Sequence, residues 1–134
     1  MTITYGRPSV RDRVIFGDLV PFDEVWRTGA NEATTITFSE GIKVEGESLE
    51  AGTYGLFTIP RKNGEWTIIF NSVADQWGAY NYDPDEDVLR LEVSIDNAPH
   101  MEQMMFYFEG VEDSSGMAVL HWKDVRMAFR IDEG

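Results

Sequence analysis

The chain has 134 residues, 43% of them apolar and 26% charged, which suits one globular domain and excludes a disordered or collagen-like polymer. Its 24 acidic and 11 basic residues leave a net charge of −13, so duplex nucleic acid and anionic membrane surfaces would meet like-charge repulsion. No apolar run approaches the length that crosses a bilayer as a helix, and without cysteine there is no disulfide, thiolate nucleophile or Cys-ligated zinc.

The first residues enter an alternating pattern directly, with no basic stretch leading into an apolar one, so this chain carries no signal peptide. Met1 stands where an apolar strand residue would serve, and we expect that the native protein is longer. Thr2–Tyr5, Thr34–Phe38 and Ile42–Val44 read as strands rich in Thr, Ile and Val. Pro21–Trp26 is the best candidate for a short helix, with Pro in a first turn. Glu50-Ala-Gly-Thr is a turn before the strand Tyr54–Ile59, which Pro60 ends. Asn63-Gly64 predicts a tight two-residue hairpin loop, and Glu65–Phe70 is the return strand. Along Asp87–Ile95 the residues Leu89, Leu91, Val93 and Ile95 share one face, which should be buried, and Val88, Arg90, Glu92 and Ser94 share the other. Met104–Val111 is a further strand, with Met104, Phe106 and Phe108 on one face. Met117–Trp122 and Arg126–Ile131 read as a last pair joined by a turn at Lys123-Asp124. About nine short strands and almost no helical period predict an all-β domain, an antiparallel two-sheet sandwich of jelly-roll type with at most one short helix.

Two connections are long for so small a domain, and long loops are where binding and catalytic groups concentrate. One runs from Arg7 through Val25-Trp-Arg-Thr-Gly-Ala-Asn-Glu-Ala-Thr, and the other from Asn71 to Asp87 through Trp77-Gly-Ala-Tyr-Asn-Tyr. These segments, with Tyr5-Gly-Arg-Pro-Ser-Val-Arg, Ile15-Phe-Gly-Asp-Leu-Val-Pro and Ala51-Gly-Thr-Tyr-Gly-Leu-Phe-Thr-Ile-Pro, resemble a bacterial family of domains of unknown function common in Bacteroidetes. The resemblance covers Thr2 to Ile131 and departs at Asp12, where the family has Gly. It implies an exported protein, periplasmic or extracellular, whose leader has been trimmed from this chain; a cytoplasmic protein is the alternative. It implies no reaction.

Arg7, Arg11, Arg13 and Arg27 are four of the 11 basic residues, while residues 75–113 hold Arg90 alone against a run of carboxylates. The simplest expectation is that the arginines brace those carboxylates, since a guanidinium matches a carboxylate bidentately. Arg7 and Arg27 would then clamp loops through Glu32, Asp75 or backbone carbonyls. The other reading is that they bind an anionic or polyhydroxyl ligand. Glu32, beside Arg27 and Trp26, is a candidate general acid or base, and Asp75 or Asp83 would be its partner in a two-carboxylate hydrolase. Trp77, Tyr80 and Tyr82, with Asn81 and Asp83, combine flat aromatic faces and hydrogen-bonding groups, as a sugar site needs; the same mix also caps a core.

Asp83, Asp85 and Asp87 place oxygens at alternate positions like a calcium loop, but Val88 and Ser94 stand where such a loop needs Gly and Glu, so a solvated acidic turn competes with a metal site. His100 and His121 form no helical metal pair, and neither a Gly-rich phosphate loop nor a Gly-x-Ser-x-Gly elbow is present. No cofactor is expected. Three functions stay open. One is a binding module for a glycan or other polar small molecule through Arg7, Trp26, Arg27, Asn31, Glu32, Trp77, Tyr80 and Tyr82. The others are a carboxylate-dependent hydrolase and a structural or protein-interaction domain. Oligomeric state is not readable.

Overall fold

The computed structural model describes residues 1–30, 32–74, 82–112 and 114–133. Nine strands form two antiparallel sheets. The five-stranded sheet contains β1 (Thr2–Thr4), β2 (Thr35–Phe38), β5 (Gly52–Ile59), β6 (Trp66–Asn71) and β7 (Asp87–Val93), in that spatial order. The four-stranded sheet has the order β4-β3-β9-β8, with β3 (Ile42–Val44), β4 (Glu47–Leu49), β8 (Ile95–Glu109) and β9 (Ser115–Glu133). The chain passes between sheets three times by very short links: between β2 and β3, between β4 and β5, and through Ser94 alone between β7 and β8.

The inner faces build one core. Leu56, Ile68 and Phe70 of the first sheet meet Leu120, Trp122, Met127 and Phe129 of the second, all of them buried. A second, smaller cluster lies on the outer face of the five-stranded sheet, where Phe57, Ile59 and Ile69 are covered by Ala33, Val25 and Tyr82. Covering both faces explains why β5 and β6 read as nearly continuous apolar runs, where a half-exposed strand would alternate.

Three sequence expectations are corrected. Pro21–Trp26 is not helical; the one helical turn among the described residues is a 3₁₀ turn at Pro84–Glu86. Asn63-Gly64 does not make a two-residue hairpin: the link runs from Pro60 to Glu65, and of the pair Gly64 alone has positive φ (87°). The two-residue hairpin falls instead at Glu45-Gly46, both left-handed (49° and 85°), so the strand β4 was missed. Lys123-Asp124 is the expected turn: Glu133 N–H donates to Ser114 O at 2.8 Å, so the two halves of β9 fold back on each other, with Lys123 at φ 54° in the bend. Ala118, Leu120 and Trp122 on one half and Met127, Phe129 and Ile131 on the other then share the inward face.

Candidate functional site

The long connection between β1 and β2 forms the candidate site, and backbone pairing fixes both of its halves. Pro8–Val10 adds to the edge of β8: Val10 N–H donates to Glu102 O at 2.8 Å and Met104 N–H to Pro8 O at 3.0 Å. Further on, Trp26 pairs antiparallel with Thr58 of β5, with hydrogen bonds of 2.7 and 3.1 Å. This directs the Trp26 ring into the core, where it is 8% exposed and stacks on Trp122 with Phe16 edge-on to both.

The residues after Trp26 are held from beneath. Thr28 is buried, left-handed (φ 60°), and its hydroxyl lies 3.2 Å from both Trp26 O and Thr58 Oγ1. Thr34 Oγ1 donates to Thr28 O at 2.8 Å. Gly29 leaves room for this contact, because a Cβ there would lie 2.9 Å from Thr34 Oγ1. Gly6 is tighter still: its Cβ would lie 2.1 Å from Ala30 O. Asp12 takes the left-handed conformation (φ 55°) beside Arg11 (50°), in a turn closed by Arg13 N–H to Val10 O.

Two clefts flank Gly29-Ala30. The first, about 290 Å³, is lined by Pro8, Arg13, Leu19, Val20, Trp26, Arg27, Gly29, Ala30 and Trp122. The second, about 580 Å³, is lined by Thr4, Tyr5, Gly6, Ala30, Glu32, Ala33 and Thr35. In the first, the Arg27 Nε is buried and has no hydrogen-bond partner among the described residues.

Bracing of these arginines by carboxylate is not found among the described residues, and Asp75, one of the expected partners, lies outside them. Arg61, Arg90, Arg126 and Arg130 each pair with a carboxylate, and Arg7, Arg11, Arg13 and Arg27 pair with none among the described residues. Backbone carbonyls, the other clamp expected for Arg7, hold two of them. Arg7 Nε donates to Met104 O at 3.0 Å; Arg13 donates to Val10 O and Ser9 O at 3.0 and 2.6 Å. A carbonyl orients a guanidinium without cancelling its charge. In a chain of net charge −13, Arg13 and Arg27 therefore line one cleft with no carboxylate partner among the described residues.

The other expected site residues lie apart or outside the described residues. Asn31, Asp75, Trp77, Tyr80 and Asn81 are outside them. Tyr82 packs on Phe57, on the outer face of the sheet whose inner face receives Trp26. Its hydroxyl donates to Asp87 Oδ2 at 2.5 Å and accepts from Arg90 at 2.8 Å. Burial first, and then the Asp87 carboxylate, push its pKa up to about 12. Glu32 is exposed, and no second carboxylate shares its cleft among the described lining residues, as a carboxylate-pair hydrolase would require.

The calcium-like spacing serves local structure. Asp83 Oδ1 accepts from Asp85 N–H to start the 3₁₀ turn, and Asp87 is engaged by Asn71, Tyr82 and Arg90. No group of three His, Asp or Glu side chains among the described residues is placed to hold a metal ion. His121 is buried with Nε2 2.9 Å from Pro99 O, and His100 is exposed beside Glu102. No described helix is long and apolar enough to cross a membrane.

A family model covers residues 1–131, almost the whole chain. The chain belongs to the family described as "Protein of unknown function (DUF2911)". No curated protein and no solved structure matches it. The DUF2911 assignment carries no reaction or ligand, so the chemistry rests on the site's own geometry. The sequence singled out Arg27 and Trp26 but missed Arg13 and Trp122, which complete the cleft. Arg13 was visible as part of the N-terminal arginine group; nothing in the local sequence marks Trp122, because its part depends on long-range packing.

Proposed function

We propose that this DUF2911 domain is a non-catalytic binding module for a small polar anion, such as a sugar acid, held in the cleft between Arg13 and Arg27. The observation that carries this reading is the buried Arg27 Nε without a partner, in a chain whose arginines outside the N-terminal connection are all matched to carboxylates. A buried donor left unpaired costs about 1–3 kcal/mol, and an anion that draws the Arg27 guanidinium toward the cleft would recover it. Leu19, Val20 and the two tryptophans give the apolar lining against which a compact ligand loses its water. With the family resemblance, we also propose an exported protein that meets its ligand outside the cytoplasm.

Isothermal titration of the chain with D-glucuronate, citrate and inorganic phosphate, with glucose as the neutral control, tests the reading. At least one anion should bind, glucose should not, and Arg27→Met should weaken the bound anion at least tenfold. Absence of binding by every anion, or binding unaffected in Arg27→Met, overturns it.

A further inference from the structure

At the end of the four-stranded sheet where β8 turns into β9, the inner face runs past the cover of the five-stranded sheet. Ala118 and Ile131 are buried there, Phe108 beside Ala118 continues their inward-facing row into solvent, and Ile42 of β3 joins them. They line a groove of about 310 Å³. Met1, just ahead of β1, is the one described lining residue outside this sheet and its β8–β9 turn. Phe108 is 42% exposed and Val111 71% exposed. Phe108 and Val111 thus form an apolar lip open to water above a buried floor, and an exposed apolar patch of this kind marks a binding surface.

Ser114, Ser115, Asp132 and Glu133 interrupt the apolar lining. Glu133 pairs in register with Ile42, and directly opposed residues in antiparallel strands share a face. Glu133 also follows Met127, Phe129 and Ile131 at every second position. Its carboxylate therefore belongs to the inner, apolar face, and it makes no ion pair or hydrogen bond with any described residue. The nearby cations are placed elsewhere: Lys43 opposes Asp132 on the outer face, and Arg130 pairs with Asp132 at 3.0 Å. No Lys or Arg lines the groove among the described residues.

We propose that this groove binds a small organic cation with an apolar tail, its ammonium group on Glu133 and its tail along Phe108, Ala118 and Ile131. The ligand class follows from charge complementarity: an apolar wall selects the tail, and an uncompensated carboxylate selects the sign of the head. The groove shares no residue with the arginine cleft, so the two sites are independent.

Two-dimensional NMR titration of the whole chain with octylammonium, octanoate and ethylammonium tests this. Octylammonium should shift the amides of Phe108, Ala118 and Ile131 saturably and bind at least tenfold more tightly than octanoate. Ethylammonium, which meets the net charge of −13 but has no tail, should give no saturable shift there. Glu133→Gln, at an exposed position, should erase most of the preference for octylammonium over octanoate, and Phe108→Ser should weaken both. Equal binding of octylammonium and octanoate, or a preference unchanged in Glu133→Gln, overturns the proposal. So does a concentration-dependent dimer by sedimentation that Phe108→Ser dissociates, since a second copy would then be the occupant.

Discussion

Trp26 lies on Trp122 with ring centroids 6.0 Å apart and planes 19° from parallel, although one belongs to the N-terminal connection and the other to β9. The contact makes a loop residue part of the inter-sheet core and ties the floor of the arginine cleft to the fold's stability. Trp26→Ala should therefore cost about 3–5 kcal/mol, the usual result of emptying a large aromatic site. Urea denaturation checks this. A loss below about 1 kcal/mol would mean that the connection is not packed as described.

Arg27 should behave in the opposite way. Its Nε is buried without a partner, so Arg27→Met keeps most of the apolar stem and removes the unpaired donor. We expect the variant to be more stable by about 1 kcal/mol, measured by urea denaturation, while it loses anion binding. Stability gained with function lost is the mark of a residue held for a ligand.

Gly6 is required by backbone proximity. A Cβ 2.1 Å from Ala30 O cannot be relieved by a side-chain rotation, since the oxygen is main chain. Gly6→Ala should lower stability by about 2 kcal/mol, within the range for local steric strain. It should also weaken anion binding, because Ala30 lines both clefts. Denaturation and titration on the same variant check the two effects together.

Acid should loosen the segment that leads into the site. The Arg11 N–H donates to Glu102 Oε2 at 2.9 Å, and this bond first, then His100, holds the Glu102 carboxyl below the ordinary glutamate value. A carboxyl lowered in the folded state stabilises above its unfolded pKa, and that contribution disappears as pH falls through the folded pKa. Amide exchange at Arg11 should therefore be slow and steady at neutral pH after correction for intrinsic rates, and lose protection in acid. Glu102→Ala should show the unprotected rate throughout.

Much of the sandwich could be read from alternation, and the places where reading failed have physical causes. The row Leu89, Leu91, Val93, Ile95 is continuous in sequence, yet β7 and β8 belong to different sheets. Both inner faces are apolar, so the pattern passes through Ser94 without a mark. The turn at Lys123-Asp124 was legible because it breaks the alternation between two apolar rows. The Glu45-Gly46 hairpin was overlooked because Glu rarely takes positive φ. At the site, Trp26 and Arg27 stood out by residue type. Among the described residues Arg7 is clamped by a backbone carbonyl, one of the two partners expected for it, and the carboxylate Asp75 expected as the other lies outside them.

The short ladder that Pro8–Val10 makes with β8 occupies that strand's outer rim. Stripped of it, the free amides and carbonyls near Gln103 would offer a template to any passing β-chain. Shortened versions of this protein that start beyond Val10 are thus poised to polymerise sheet to sheet, even where the rest of the domain still folds.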